Sequence, residues 1–488
     1  MPRFRRRAAS MGDIELQGAS QSGDANKHKN ADEKDAYTTI LECWFGLSNQ
    51  ELRGWYPGAR SVCCYLETCF LPLLSDEYAV VWHQLDRQRP RVAADCWRLF
   101  SDTCAAVRNS QDESTSIEDV WKRVCAQNMG PLSPSTPSPS PSPRRGGPPL
   151  SHKAFDACYI SVFSILCWAT MALQPKLSWS DFKEQPGLMV CPRGLDHDFQ
   201  PIQSSVQRPI HAIFRQFCRA MSRSRWRRPI GEARTERPAA LEVACLNFAS
   251  LRDIAKINPL WVSDLASHLD FDATTRQLSV YRFPTFCALS CVGEEKGLSV
   301  PVFRDLLREL YSSRITTTAE PIQDPYNHTQ LHQEIILSYR LLFGQKHASR
   351  RLAKIALKKL REERRADEYD ELLDLLCAHP HDKKIRQLPA SLWPVTCRSF
   401  DGHVQEQGSY SSQDDFPLFG QRLAKLQEFT LRQQPSELWD LWRDRRNPLQ
   451  WYTFWAVLVF GGISILLGIL QLGVGIAQLA VALRSPVG

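Results

Sequence analysis

The chain has 488 residues, of which 43% are hydrophobic and 23% charged, and its formal net charge is +7. This composition is that of a globular protein, and it excludes a chain that is disordered throughout. The length leaves room for more than one domain, and the basic excess indicates a binding surface only if it is concentrated in one segment.

The cysteines favour a reducing compartment. The 16 cysteines contain no CxxC pair, whereas zinc fingers and ribbons bring closely spaced ligand pairs to one ion. Residues 1–20 are basic and polar, and they lack the apolar stretch of a signal peptide. We therefore expect free thiols in a cytosolic domain, and we assign no metal ligand and no cofactor.

Residues 1 to 150 divide into three segments. Residues 1–34 are polar and rich in arginine at the front, which predicts a disordered basic tail. Residues 35–128 place apolar side chains at three- and four-residue steps, and Ser116 precedes Asp119 as in a capped helix. This segment is therefore predicted to be a small helical domain. Residues 129–150 are rich in proline and serine, which predicts an extended linker.

Residues 151–300 combine helical and strand patterns. The apolar run 157–173 is shorter than the roughly 20 residues that span a bilayer, so a buried core helix is favoured over a second membrane helix. The turn "DATTR" at 272–276 separates two alternating segments and predicts a β-hairpin. We expect it to pair with other short strands, such as "LEVACLNFA" at 241–249. The predicted fold class is mainly α with a minor α+β middle region.

Residues 301–447 are predicted to be a helical region with a basic helix at 346–365, which has nine Lys or Arg against two Glu. Its cations are candidate contacts for anionic lipid or for nucleic-acid phosphates, or they pair with the acidic segment 367–374. We favour a solvated or self-paired face. The expected apolar stripe is Leu352, Ile355, Ala356 and Leu360, and the candidate contact residues are Arg350, Arg351, Lys354, Lys358, Lys359 and Arg361.

Two histidine pairs raise the question of a metal or catalytic site. His328 and His332 are one helical turn apart and near Glu334, but the zinc-protease pattern, with Glu directly after the first His, is missing. We favour a solvated helix face over a metal site. "HPHD" at 379–382 follows a helix end, where histidine interacts favourably with the helix dipole. No nucleophile elbow or phosphate-binding loop occurs, so no catalytic residue is assigned.

The strongest pattern lies in residues 451–483. Residues 455–483 carry no charge and are long enough for a helix that crosses the roughly 30 Å hydrocarbon core. Aromatic and basic residues precede this segment, so the positive-inside rule places the N-terminal bulk in the cytosol. Because five residues follow Leu483, we expect insertion after translation, as in a tail-anchored single-pass protein. The membrane-interface residues are Trp451, Tyr452, Trp455, Arg445 and Arg446.

Small and polar residues in this helix follow a heptad spacing. A small residue recurs every seven positions, and a polar one recurs with the same period three positions later. Such a seam lets two helices approach closely and lets facing amides hydrogen-bond, so we predict a self-associating anchor. The plain alternative is that glycine is common in membrane helices, and Gly462 and Gly473 lie off the seam. The seam residues are Gly461, Ser464, Gly468, Gln471, Gly475, Gln478 and Ala482.

The stretch "DRRNPLQWYTFWAVLVFGGISILLGILQ" at 444–471 resembles the C-terminal anchor of a group of uncharacterised filamentous-fungal single-pass membrane proteins. In that group a DRRxPxQWYTFWAV-type stretch leads into one membrane helix. "ILSYRLLFGQKHASRRLAK" at 336–354 resembles a segment that the group carries upstream. The resemblance covers the last third of the chain well. It implies a membrane helix and no activity.

Together these patterns predict a membrane-anchored, cytosol-facing interaction or scaffold protein. Its expected partners are membrane lipid and a second copy of the chain. The alternative is an enzyme tethered to the membrane, and a weaker one is a nucleic-acid-binding protein that uses the basic helix. A deep pocket lined by perturbed polar side chains would favour the enzyme, whereas an exposed apolar patch would favour the interaction protein.

Overall fold

The computed structural model describes residues 37–109, 114–128, 152–177, 187–190, 198–225, 240–295, 329–363, 368–433 and 448–484. The predicted tail 1–34 and linker 129–150 lie outside this part of the chain. Within it, 66% of the residues are helical and 9% are in strands, which confirms a mainly helical fold with small sheets in the middle.

The helices begin where the local sequence predicts that they should. At the helix after residue 116, the Asp119 N–H donates to Ser116 Oγ and the Ser116 N–H donates to Asp119 Oδ2, both at 3.1 Å. This reciprocal capping confirms the predicted start. In chain order the helices are α1 (37–45), α2 (Asn49–Leu52), α3 (Tyr56–Phe70), α4 (Ala79–Gln84), α5 (Trp97–Arg108), α6 (Ile117–Asn128), α7 (His152–Thr170), α8 (Ile202–Ser205), α9 (Ile210–Arg225), α10 (Val243–Leu246), α11 (Phe248–Asp253), α12 (Pro284–Glu295), α13 (Gln330–Tyr339), α14 (His347–Glu363), α15 (Leu372–Leu376), α16 (Lys383–Arg386), α17 (Gly420–Arg432) and α18 (Pro448–Arg484).

The described strands form three small sheets. Two of these sheets are antiparallel pairs, and the third has one parallel and one antiparallel neighbour. The first sheet pairs β1 (Gly187–Val190) with β2 (Asp198–Pro201), and the second pairs β3 (Ala240–Glu242) with β7 (Ser409–Ser411). In the third sheet the central strand is β6 (Gln277–Tyr281). Its parallel neighbour is β4 (Asn258–Val262), and its antiparallel neighbour is β5 (Phe271–Asp272).

The β5–β6 pair confirms the predicted hairpin. In its turn the Thr274 N–H donates to Asp272 Oδ1 at 2.8 Å and the Thr275 hydroxyl donates to Asp272 Oδ2 at 2.9 Å. Aspartate stabilises turns by accepting such local bonds. The hairpin extends its sheet through β4, which is contributed by the segment that directly precedes it in the chain.

The predicted strand at 241–249 is largely wrong. Only β3 is extended, and it pairs with β7 rather than with the hairpin. The chain then turns into α10 and α11, because the Asn247 side chain accepts from the Ser250 N–H at 3.2 Å and caps α11. An asparagine cap at a helix start outweighs a short run of strand-forming residues.

One continuous apolar core extends from Tyr37 to Leu426. The Trp44 indole N–H in α1 donates to Ala169 O in α7 at 3.1 Å, and the Trp44 ring lies 5.7 Å from the Phe286 ring in α12. Helices on the two sides of residues 129–150 therefore pack against each other. The boundaries predicted between residues 35 and 447 stay a prediction.

Helix α7 is a core helix, as predicted for the run 157–173. Its residues Cys158, Val162, Leu166 and Cys167 have no exposed surface. The apolar part, Phe155–Thr170, is shorter than a membrane-spanning helix. A buried hydroxyl is tolerated in this core where it bonds to the backbone of its own helix. Thr170 Oγ1, for example, donates to Leu166 O at 2.8 Å.

A buried polar contact joins α3, α12 and the segment before α15. The Asp370 carboxylate accepts the Thr285 N–H at 2.8 Å, the Thr285 hydroxyl at 2.7 Å and the Leu372 N–H at 2.9 Å. It thereby caps the start of α12 with a side chain from 85 residues away. Gly58 in α3 lies directly against this contact, because an added Cβ would overlap Thr285 Oγ1 and lie 2.6 Å from Asp370 Oδ1.

A second buried contact joins the turn after α13 to the segments around residues 376–378 and 406. Arg340 is fully buried in a π-helical turn that follows α13. Its guanidinium donates to Leu376 O at 2.7 Å and to Ala378 O at 2.8 Å, and it pairs with Glu406. These partners satisfy the charge in the core. A Cβ on Gly344 would lie 2.5 Å from Arg340 Cζ, so the guanidinium occupies the space beside this glycine.

The variant Gly58→Ala tests the Thr285–Asp370 contact. Alanine normally stabilises a helix by about 1 kcal/mol relative to glycine, but here its methyl group overlaps two buried polar side chains. We expect the free energy of unfolding to fall by about 2 kcal/mol, measured by denaturant titration of the full chain in detergent. Gly54→Ala is the matched control, because nothing lies within 4 Å of a Cβ there. Equal stability of the two variants would contradict the contact.

Burial raises the pKa of Asp370 to about 6, against the lowering effect of its three donors. Because this value exceeds the unfolded pKa, Asp370 contributes stability that is present below about pH 4 and is lost as the pH rises through about 6. The stability advantage of the wild type over Asp370→Asn should therefore shrink by about 2 kcal/mol between about pH 4.5 and 7.5. Asp401→Asn, at an exposed position, is the control. If the stability difference between the wild type and Asp370→Asn does not change with pH, the raised pKa of Asp370 is refuted.

Candidate membrane interface

Helix α18 is long and apolar enough to cross a membrane. It contains 37 residues, which corresponds to a length of about 55 Å. Its stretch Tyr452–Ala480 has 29 residues with a mean hydropathy of 2.3. No proline interrupts the helix after Pro448, whose fixed φ suits the first helical position. A hydrocarbon core of about 30 Å can therefore be spanned with tilt, and the ends of the stretch reach the headgroups.

Exposure distinguishes α18 from the apolar helix α7. The spanning window of α18 is 0% buried within the protein. Large side chains such as Val457, Leu466 and Leu472 are 73%, 61% and 66% exposed. A continuous apolar surface of this size is unfavourable in water and is typical of contact with lipid or another protein. One helix of the described chain therefore has both the length and the surface of a membrane span.

The aromatic residues at the start of α18 lie partly against protein. Tyr452 is exposed, whereas Phe454 and Trp455 are half-buried, and the two rings meet edge to face at 6.3 Å. The backbone of Trp451 is helical, but its side chain and the predicted interface residues Arg445 and Arg446 lie outside the described part of the chain. Tyrosine and tryptophan at this end match the usual position of an aromatic belt.

The predicted seam is an open surface of α18. A Cβ added at Gly461, Gly468 or Gly475 meets no atom within 4 Å. The Ser464 hydroxyl donates to Phe460 O at 2.9 Å, so its own helix satisfies it. Gln471 and Gln478 are exposed. The side chain of the seventh seam residue, Ala482, is not among the described ones.

The basic helix α14 packs through most of the predicted stripe, because Leu360 is buried and Leu352 and Ala356 are half-buried against the core. Its buried residues are Ser349, Ala353, Leu357 and Leu360, whereas Ile355 is 54% exposed. The cause is a polar contact with α11: Ser349 Oγ accepts the Ala249 N–H and donates to Asn247 Oδ1, both at 3.1 Å. Turning Ser349 inward rotates Ile355 to the solvent side. The prediction that Ile355 belongs to the buried stripe is therefore wrong.

The candidate contact cations of α14 fall into two groups. Those near its C-terminal end are paired: Lys358 with Glu362 at 3.7 Å, Lys359 with Glu363 at 3.4 Å, and Arg361 with Asp374 at 2.6 Å. Arg350 is half-buried, and its guanidinium donates to the carbonyls of Gly344 and Gln345 at 2.9 Å. Burial lowers the pKa of Arg350. Arg351 and Lys354 are exposed, and no ion pair of theirs is found among the described residues.

The helix that carries His332 and Glu334 is buried, so the predicted solvated face is wrong. Glu334 accepts the Leu418 N–H at 3.0 Å and the Phe419 N–H at 2.9 Å, and it thereby caps α17. Burial raises the pKa of Glu334 and lowers that of His332 to about 3. His332 is therefore neutral and packs edge to face against Phe286 at 5.8 Å. Its predicted partner His328 lies outside the described residues.

Other perturbed groups also serve the core. His268 is fully buried; its Nδ1 accepts the Tyr281 N–H at 3.1 Å and its Nε2 lies 2.9 Å from Ser338 Oγ. Sequence reasoning missed it, because nothing in the local pattern marks a histidine that receives a strand N–H. Within the described ranges, no group of three or more His, Cys, Asp or Glu could hold a metal ion.

A surface depression of about 620 Å³ lies beside the turn after α4. Its lining contains no His, Cys, Ser or carboxylate, and its Arg89 is held by Leu74 O and Asp76. This lining offers no nucleophile and no general base. The lining residues are Leu74, Gln88, Arg89, Pro90 and Arg91.

Comparison of the chain with protein-family models, with curated proteins and with solved structures finds no match.

Proposed function

We propose that the protein is a single-pass membrane protein whose folded body binds other proteins as a membrane-anchored interaction or scaffold protein. The observation that carries this proposal is the exposed, uncharged helix Tyr452–Ala480. The resemblance of residues 444–471 to a fungal membrane anchor agrees with it and stays a prediction.

A cytosolic position of the body is supported by charge and by the cysteines. Arg443, Arg445 and Arg446 precede the span, and Arg484 follows it, so the positive-inside rule favours a cytosolic N-terminal side. The cysteines of the described ranges are free thiols. Free thiols at this number are typical of a reducing compartment.

Exposed apolar residues on the body support a role in binding proteins. Val395 is 76% exposed, and Phe400 has no neighbour that covers it, with a relative exposure of 112%. Phe400 lies in a tight turn that the Gly402 N–H closes by donating to Ser399 O at 2.9 Å, with φ of +75° at Gly402. A large apolar side chain held outward on a defined turn is accessible to a protein partner.

The alternative of a membrane-tethered enzyme receives less support. The groups with strongly perturbed pKa values include His268, His332 and Glu334, and all three are buried in the core. Their described partners are backbone groups, a serine hydroxyl and an aromatic ring. The surface depression lacks a catalytic lining. The nucleic-acid alternative depends on α14 alone.

We further propose that α18 associates with a second copy of itself through the seam. Facing glutamines would satisfy each other's amides, and each such bond in a membrane contributes roughly 0.6–2 kcal/mol. The seam glycines are open on the isolated helix, so they leave room for a partner backbone.

Arginine substitutions in the centre of α18 test whether this helix is a membrane anchor. Leu467→Arg with Leu470→Arg should release the full chain from membranes on carbonate extraction, because each arginine at the bilayer centre costs about 3 kcal/mol. A chain that ends at Asn447 should behave in the same way. The control replaces the same leucines with isoleucine and should stay in the membrane. If the arginine variant and the truncated chain resist carbonate extraction, the anchor is refuted.

Matched glycine substitutions test the seam. Gly468→Leu lies on the seam and Gly473→Leu off it, and neither meets an atom within 4 Å on the single helix. We expect Gly468→Leu, and Gln471→Leu with Gln478→Leu, to weaken association about tenfold, measured by energy transfer between labelled full chains in vesicles. Gly473→Leu should leave association unchanged. Undiminished energy transfer in the glutamine variant would exclude the seam.

A further inference from the structure

The exposed side of α14 presents cations to solvent. We define the cationic face as Arg351, Lys354, Ile355, Lys358 and Lys359, all of which are exposed. Its acidic neighbours Glu362 and Glu363 lie only in the last turn, where they pair with Lys358 and Lys359. Positive charge is therefore left unbalanced at the N-terminal half of the helix.

The stability of α14 does not account for this arrangement of charges. Cations are unfavourable near the positive N-terminal end of a helix, and anions are unfavourable near its negative C-terminal end. Lys354 and Lys358 also form a like-charge pair at four-residue spacing, which disfavours the helix. The helix forms because Ala353, Leu357 and Leu360 pack into the core. The outward charges are therefore not explained by the stability of the helix.

Ile355 adds an apolar group to the centre of the cationic face. It is 54% exposed and lies between Arg351 and Lys358 on the same side of the helix, because residues three and four apart share a face. Cations that surround an exposed aliphatic side chain match a bilayer surface, where the charges meet lipid headgroups and the aliphatic group enters the acyl boundary.

We propose that the cationic face of α14 binds the anionic surface of the bilayer in which α18 is anchored. This inference depends on the proposed membrane anchor. Docking would fix the orientation of the body on the membrane.

The segment between α17 and α18 keeps the body close to the bilayer. Residues 434–447 connect the end of α17 to the start of α18, and even when fully extended such a segment reaches at most about 50 Å. The body is therefore confined near the bilayer, and its surfaces meet lipid at a high effective concentration. A weak electrostatic contact is populated under these conditions.

The composition of the face favours lipid over nucleic acid. Single-stranded nucleic acid is usually bound by cations together with aromatic side chains that stack on bases. The exposed residues of α14 contain no Phe, Tyr or Trp, and their apolar member is aliphatic. The chain also carries its own membrane helix.

The test uses the full chain in nanodiscs of phosphatidylcholine, alone or with about 30% phosphatidylserine. Co-elution of the chain with the disc is checked first, since its failure refutes the anchor itself and the docking with it. An amine-reactive ester then labels the lysines, and mass spectrometry gives the rate for each one. We expect Lys354 and Lys358 to react about fivefold more slowly in anionic discs, and to recover at about 0.5 M salt. Exposed Lys383 and Lys384 on α16 are internal controls.

Matched variants test whether the protection of Lys358 depends on the cationic face or only on the total charge of the chain. Arg351→Glu with Lys354→Glu should abolish the protection of Lys358, whereas Lys383→Glu with Lys384→Glu should leave it intact. Circular dichroism confirms that both variants are folded. Equal labelling in neutral and anionic discs, with the chain incorporated in both, would overturn docking and leave the anchor standing. If single-stranded RNA protects these lysines in neutral discs and anionic lipid does not, the face binds nucleic acid and the lipid proposal is overturned.

Discussion

The Asp370 carboxylate connects parts of the body that are far apart in sequence. It caps α12 through Thr285, binds the turn that begins α15, and lies against Gly58 of α3. A buried carboxylate is tolerated only where donors surround it, so these three segments must arrive together. The packing of α12 against α1 and α3, through rings such as Phe286 and Trp44, depends on this arrangement. Other buried polar groups follow the same rule: Glu334 caps α17, and Arg340 connects the π-helical turn after α13 to Glu406.

Two apolar helices of this chain have opposite environments. Helix α7 is buried inside the body from Ile160 to Thr170, whereas α18 offers its apolar surface without cover. Composition alone makes both helices candidates for a membrane. Length separates them, because α7 is too short for a hydrocarbon core and α18 exceeds it. The body therefore retains a complete core without α18, as expected if the helix is an attachment to a membrane rather than a structural part of the body.

Charge is divided in a similar way on α14. Exposed ion pairs with Glu362, Glu363 and Asp374 offset part of the positive charge at its C-terminal end. The N-terminal half carries cations that the helix dipole disfavours and an isoleucine that the core leaves outside. The body thus combines an exposed turn at Phe400, which suits a protein partner, with a cationic face that suits an anionic surface. Both features agree with a protein that positions partners at a membrane.

The sequence by itself determined the elements whose signals are local. The long apolar helix α18 follows from an uncharged run longer than a bilayer is thick. The hairpin follows from a polar turn between two alternating segments, and the start of α6 follows from the Ser116–Asp119 capping box. The buried nature of 157–173 followed from its length. Tertiary structure decided the rest. It alone set which side of α14 is buried, because Ser349 bonds to Asn247 from a distant segment. It also buried His332 and Glu334, since a polar helix face can enter a core when remote backbone N–H groups satisfy it, and no local pattern encodes where those donors will be.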